Sequence, residues 1–182
     1  NNLKAAIAFK NSGLGIPILI AKGEIVRKKL NEIGYGENFD IEIINSTNEK
    51  LRRKYTEFLF KRLQRTEGLL ERDCDKLVRN DRVTFGACMV SCGDADAMVT
   101  GNTRRYSASL EKVSKVVDPR PGEIMFGLNM IVNRGKTIFI CDTTVIEYPD
   151  EKQLAEMAIS AARVVRLFGF DPKIAFLSHS TF

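Results

Sequence analysis

The chain has 182 residues and a formal net charge of +5, long enough for one domain with a substantial core, or one domain and the start of another. Hydrophobic residues make up 44% and charged residues 28%, the balance of a globular protein, which excludes a disordered or fibrous chain. No apolar run approaches the ~18 residues that span a bilayer, and no signal-peptide pattern opens the chain, so no membrane and a cytoplasmic location are the expectation.

In chain order, Ile16 to Ala21 follows Gly13 and Gly15 and reads as a buried strand after a short helix. A helix from about Glu24 to Ile33 comes next, closed by Gly34 in a left-handed cap. Asp40 to Ile44 is the second strand. The segment from Lys50 to Arg65 places Leu51, Tyr55, Phe58, Leu59 and Leu63 at helical spacing and crowds cations between them. It is an amphipathic helix with a basic outer side. No recognition motif or aromatic platform accompanies that charge, so a solvated face is expected and no nucleic acid.

A polar helix from Glu71 to Arg79 leads to Asn80-Asp81, an N-cap for a helix through Cys92 and Gly93. Ala95 to Val99 reads as a short buried strand. A further helix from Tyr106 would bury Tyr106, Leu110, Val113 and Val117, and Asp118-Pro-Arg-Pro-Gly122 stops it. Glu123 to Val132 and Lys136 to Cys141 form two strands joined by Asn133-Arg134-Gly135, a tight hairpin turn. Pro149-Asp150 starts a helix with Leu154, Met157, Ala158, Ala161, Val165 and Phe168 as its buried stripe. Gly169 caps it, and Lys173 to Ser178 is the last strand. Strands alternating with glycine-closed helices predict an α/β fold: a three-layer α/β/α arrangement around a mostly parallel sheet, with one β-hairpin. The chain stops just past a buried strand with no helix to cover it, so it is expected to be a piece of a longer protein.

Several local patterns fail on inspection. Arg134-Gly-Lys-Thr137 lacks the glycine that a P-loop needs at position 130, which is Met130, and sits between strands. Gly13-Leu-Gly15 precedes its strand and continues to Ile18, the wrong order for a dinucleotide fingerprint. His179 beside Ser178 and Ser180 lacks a nucleophile elbow and reads as a polar loop. Cys74, Cys88, Cys92 and Cys141 have no metal-site rhythm, so no metal site is expected; they read as small apolar residues in a reducing compartment.

The run from Asp94 to Ser107 survives this weighing. A strand-to-helix turn gathers free backbone N–H groups at the positive end of a helix dipole, which suits an anion. Asn102 or Thr103 can cap the helix. Arg104 and Arg105 add two guanidinium groups, and Thr103 and Ser107 add hydrogen-bonding hydroxyls. Asp142 and Thr143, after the second hairpin strand, are further candidates for the ligand edge.

These segments together resemble the phosphate acetyltransferase (phosphate acetyl/butyryltransferase) family over nearly the whole chain. The matching stretches are Leu14-Gly-Ile-Pro-Ile-Leu-Ile20, the run Arg72 to Arg82, Gly93-Asp-Ala-Asp-Ala-Met-Val-Thr-Gly101, Asp142-Thr-Thr-Val145, Leu154-Ala-Glu-Met-Ala158 and Phe168-Gly-Phe-Asp-Pro-Lys-Ile-Ala-Phe-Leu-Ser178. The likeness is strongest to the version fused to the carboxyl side of bacterial NADP-dependent malic enzymes. It implies two α/β/α subdomains with a fold like that of isocitrate and isopropylmalate dehydrogenases: residues 1–145 as the first, and 146–182 as the truncated start of the second. Coenzyme A and an acyl phosphate meet in the cleft between them in this family. The family's opening strand and its main catalytic segment then lie outside this chain, and no catalytic residue can be named in it.

Active family members carry Gly-Ala-x-His-Thr-Thr-Ala-Asp-Thr-Val-Arg-Pro after the strand, the arginine contacting phosphate. Laid from Gly101 without a gap, that arginine falls on Glu111 and the proline on Lys112. A carboxylate there would repel phosphate, with Arg104 or Arg105 compensating from one turn earlier. The resemblance therefore implies a module that binds acetyl-CoA and builds a homo-oligomer, regulating a malic enzyme domain in the same polypeptide. NADP and a divalent metal belong to that parent domain alone. The alternative it leaves open is a working phosphate acetyltransferase.

Overall fold

The computed structural model describes residues 2–36, 39–101 and 104–177. The chain separates into two compact units, Asn1–Asp118 and Pro119–Phe182. The break falls at the Asp118-Pro stop signal, earlier than the boundary at 145 that the family resemblance implies.

The first unit is built on two short parallel strands, β1 (Ile18–Ile20) and β2 (Glu42–Ile44), with Ile18 opposite Glu42 and Ile20 opposite Ile44. Successive side chains of a strand point to opposite faces, and both faces are used. Ile18, Ile20 and Ile44 pack on a core from α3 (Glu49–Leu63), α4 (Glu71–Asn80) and α5 (Arg82–Ser91). Tyr55, Leu59, Cys74, Val78, Phe85, Ala87 and Cys88 are fully buried in it, and the Tyr55 and Phe85 rings meet edge to face at 5.0 Å. Leu19 and Ile43 face the other way, onto Ile7 of α1 (Asn2–Asn11) and Val26 and Leu30 of α2 (Gly23–Glu32). Helices cover both sides of a parallel strand pair, the α/β arrangement expected from the sequence.

The sheet is smaller than expected. Ala95–Val99 forms no ladder among the described residues. The N–H groups of Asp94 and Ala95 turn back to the Met89 carbonyl at the end of α5. Met98 settles over Gly86, where a Cβ would lie 2.6 Å from its sulfur, while Val99 is fully exposed. Side-chain packing holds this segment in place of strand pairing.

In the helix that follows, α6 (Tyr106–Ser114), the expected Leu110 and Val113, with Val117 just beyond it, are half-buried, and only Tyr106 departs from that stripe. Ser109 and Val116 are buried, Lys112 and Val113 half-buried, and Tyr106 exposed. Ser109, Lys112, Val113 and Val116 have the i, i+3, i+4, i+7 spacing of one helical face. Lys112 lies on this inner face and Glu111 on the outer one.

The second unit holds the antiparallel hairpin of β3 (Asn129–Asn133) and β4 (Lys136–Ile140), then α7 (Glu151–Leu167). β3 is shorter than the predicted 123–132 run. The turn places Arg134 at φ 46° and Gly135 at φ 75°, the two positive values of a type I′ connection. Asp150 caps α7 by accepting from the Gln153 N–H at 2.8 Å, and the Gln153 side chain returns a bond to the Asp150 N–H. Met157, Ala161, Ala162 and Val165 are buried, but Leu154 and Phe168 are exposed. The expected last strand is irregular over residues 173–177, with Ile174, Phe176 and Leu177 exposed because no facing layer covers them among the described residues; its Ser178 lies outside those residues, as does His179. No described helix is long and apolar enough to cross a membrane.

Candidate functional site

The start of α6 is the candidate anion site. Its N-cap is Arg105, which makes no side-chain cap bond, so among the described residues the first-turn N–H groups have no side-chain cap. Arg105 and Ser107 are both exposed. Thr103, and the alternative cap Asn102, lie outside the described residues.

Arg104 is committed elsewhere. Its Nη1 donates to Oδ2 of Asp81 at 2.5 Å, and the Lys112 Nζ reaches the same oxygen. The other oxygen, Oδ1, accepts from the N–H groups of Val83 at 2.9 Å and Thr84 at 3.0 Å, capping α5. Burial alone would raise the Asp81 carboxyl; the Lys112 and Arg104 bonds and the Thr84 N–H overcome it and hold the group down at about 2. An anion, two cations and a helix N-terminus are thus assembled as an anion site would be, and the anion is the protein's own carboxylate.

Glu111, where the family resemblance sets the phosphate-binding arginine, points away from this cluster. Its side chain is 69% exposed, with Oε1 3.6 Å from the Lys115 Nζ. The expected repulsion of phosphate by Glu111 therefore gives way to a different limit: the Arg104 guanidinium is already paired. Sequence spacing could not reveal this, because Asp81 lies 23 positions from Arg104 and 31 from Lys112. The available signal was the N-cap role of Asp81, since a buried carboxylate needs cations.

Asp94, which opens the run singled out in the sequence, is a lock. Its Oδ2 accepts from Lys54 Nζ at 2.6 Å and from the Tyr55 hydroxyl at 2.9 Å. The Lys54 and Tyr55 bonds lower its carboxyl below the ordinary value despite the desolvation it suffers. Part of the basic side of α3 is likewise engaged: Arg52 pairs with Asp75, Lys61 with Glu57 and Arg62 with Asp118.

In the second unit, Asp142 is saturated by backbone. Its Oδ1 accepts from the N–H groups of Gly127 (2.7 Å), Thr144 (2.9 Å) and Val145 (3.2 Å), and Oδ2 from Val145 and, at 2.6 Å, Ile146. Burial pushes its carboxyl up, but these four donors outweigh it and leave it below the usual value. Thr143 is half-buried, its Oγ1 lying 2.6 Å from where a Gly127 Cβ would stand. Asp142 and Thr143 staple a loop. The Arg104–Ser107 segment and the Asp142–Thr143 segment belong to different units.

Cys74 and Cys88 are fully buried, and burial pushes the Cys88 thiol up to about 12, an unreactive state. Cys141 is exposed, and β4 ends one residue before it. No cluster of three or more metal-ligating side chains occurs among the described residues.

The chain is similar to proteins of two names. It is 40% identical over 181 residues to an NADP-dependent malic enzyme of Rhizobium meliloti, covering 99% of this chain and 24% of that protein. It is 27% identical to a phosphate acetyltransferase of Helicobacter pylori, covering 98% of this chain and 34% of that one. The chain spans about a quarter of the length of the malic enzymes it matches. Among solved structures, a phosphotransacetylase from Streptococcus pyogenes superposes with a TM-score of 0.84 at 28% identity, over 98% of this chain and 54% of that one. One from Staphylococcus aureus, at 23% identity and a TM-score of 0.78, shares the fold. Since the family pattern runs through residues 1–182 without a gap at either end, the chain belongs to the phosphate acetyl/butaryl transferase family.

Proposed function

We propose that this chain is an acetyl-CoA-binding module that regulates and helps to oligomerise an NADP-dependent malic enzyme, and that it does not turn over acyl phosphate. The observation that carries the reading is the pairing of Arg104 with Asp81. Transfer of an acetyl group from acetyl phosphate needs attack by the coenzyme A thiolate on the carbonyl, with the leaving phosphate neutralised as its charge develops. Of the loop's two guanidiniums one is bound to an internal carboxylate, and the family's arginine position holds a solvent-facing Glu111. Binding asks less than turnover, because only turnover needs interactions that strengthen in the transition state. Arg105, Ser107 and the open first turn of α6 suffice to hold an anionic end of acetyl-CoA. The resemblance to malic enzymes over 99% of the chain favours that parent; its oxidative decarboxylation of malate, with NADP and a divalent metal, asks no cofactor of the residues described here. Regulation then requires acetyl-CoA to bind one state of the whole protein more tightly than the other.

The test uses the intact protein. Acetyl-CoA should inhibit malate decarboxylation, with Arg105→Ala raising the half-inhibitory concentration about tenfold, and acetyl phosphate plus coenzyme A should give no acetyl-CoA above background. The second reading, a working acetyltransferase, is favoured by similarity to phosphate acetyltransferases. Robust acetyl-CoA formation that Arg105→Ala abolishes would establish it in place of the first.

A further inference from the structure

A second basic site lies in the first unit, away from the α6 loop. A cleft of about 230 Å³ opens at the carboxyl ends of β1 and β2, lined by Lys22, Asn45, Ser46, Thr47, Arg79 and Arg82 among others. The carboxyl edge of parallel strands is where open α/β sheets take ligands. Lys22 leaves β1, residues 45–47 leave β2, and Arg79 and Arg82 flank the junction of α4 and α5. The Ser46 hydroxyl donates to the Arg79 carbonyl at 3.0 Å, which ties the β2 loop to the end of α4. Asn45 Oδ1 accepts from the Thr47 N–H at 3.1 Å, leaving its amide N–H donors free.

Charge distinguishes this cleft from the paired cations of α3. On α3 the cations Arg52, Lys54, Lys61 and Arg62 all have carboxylate partners. Around the cleft, Lys22, Arg79 and Arg82 have none among the described residues, and no carboxylate lines it. Asp81, between Asn80 and Arg82, has both oxygens engaged on α5, Arg104 and Lys112. Three like charges held together without a counter-ion repel one another, and an anion placed among them removes that cost.

We infer that this cleft binds a phosphate group, either as free phosphate or as the phosphate end of a nucleotide-like ligand. Its volume is below the ~300–1,000 Å³ of sites that enclose drug-sized molecules, so it takes the anionic group and leaves the rest of a larger ligand outside. The guanidiniums of Arg79 and Arg82 match phosphate oxygens in a bidentate fork, with Lys22 as a point charge. The inference does not depend on the regulatory reading, since it uses none of the residues of the α6 loop.

The experiment titrates the intact protein with inorganic phosphate and, separately, with adenosine 3′,5′-bisphosphate, followed calorimetrically. Saturable binding of either is expected, weakening with salt, and Arg79→Ala should lower the affinity about tenfold or more. Lys22→Ala provides a second variant at an exposed position. Tighter binding of inorganic phosphate identifies the free ion, and tighter binding of the bisphosphate a nucleotide source. Failure of both probes to saturate, or an equal loss in Arg53→Ala on the exposed side of α3, overturns the inference. Acetyl-CoA inhibition that survives Arg79→Ala and falls in Arg105→Ala separates this site from the one at α6.

Discussion

Asp81 does more than any other single side chain in the first unit. It caps α5 with one oxygen and neutralises Arg104 and Lys112 with the other. Replacing it by Asn keeps a cap acceptor but strips the charge from beneath two cations, at a cost of about 1–3 kcal/mol; the partial hydration of both head groups favours the lower end. The carboxyl is held at about 2 in the folded state, below its ordinary value of 3.8. Its contribution is therefore complete above the unfolded value and is lost as the pH falls through the folded one. Urea midpoints measured from pH 6 downward should show a shallower decline in Asp81→Asn than in the parent. An unchanged slope would mean that the carboxylate is not what holds the cluster. At Gly127 the constraint is steric. A Cβ would stand 2.6 Å from Thr143 Oγ1, 2.7 Å from Thr144 Oγ1 and 3.0 Å from Asp142 Oδ1, and Asp142 cannot yield because backbone donors fix it. Gly127→Ala should lower stability by about 1–3 kcal/mol in the same denaturation measurement.

At the scale of elements, the hairpin offers a change in the opposite direction. Arg134 sits at φ 46°, a left-handed conformation that costs an ordinary side chain about 1–2 kcal/mol and that Asn adopts more readily. Arg134→Asn creates the Asn-Gly pair favoured in type I′ turns and should raise the urea midpoint by about 0.5–1 kcal/mol of stability; a lower midpoint would show that the Arg134 side chain contributes a contact worth more than the strain. This turn was legible from three residues, as were the caps at Asp81 and Asp150, because turns and caps are set by neighbours in sequence. The two failed strands were not legible for the converse reason. Apolar runs such as 95–99 and 173–177 fix an extended, greasy segment but not its partner, and a ladder exists only where a partner is supplied. The inner face of α6 was legible only in part. Leu110, Val113 and Val117 are half-buried as their spacing suggests, but the burial of Ser109 and Val116 and the reach of Lys112 to Asp81 are not visible in that spacing.

At the scale of the whole chain, the distribution of buried apolar surface separates the two units. Both core clusters, one on each side of the β1–β2 pair, lie wholly within Asn1–Asp118. In Pro119–Phe182 the buried hydrophobic residues among those described are Met157, Ala161, Ala162 and Val165, all on α7. Ile131, Val132 and Ile138 of the hairpin are about half exposed or more, and Leu167 and Leu177 are 86% and 95% exposed. A hairpin and one helix with so few buried side chains cannot offset the ~1–2 kcal/mol of backbone entropy lost per ordered residue, whereas the first unit has a layered core to set against that cost. Residues 1–118 made alone should therefore melt cooperatively, with the helical signal and the near-ultraviolet signal lost together. Residues 119–182 made alone should show no cooperative transition and should bind a hydrophobic dye through the exposed hairpin and α7 surfaces. A sharp melt of the shorter piece, with little dye bound, would mean that its hairpin and helix form a sufficient core by themselves. The same measurement bears on function, because the Arg105–Ser107 loop and the Lys22–Arg79–Arg82 cleft both belong to the unit expected to fold. Phosphate binding should accordingly persist in residues 1–118 once their cooperative melt has been established.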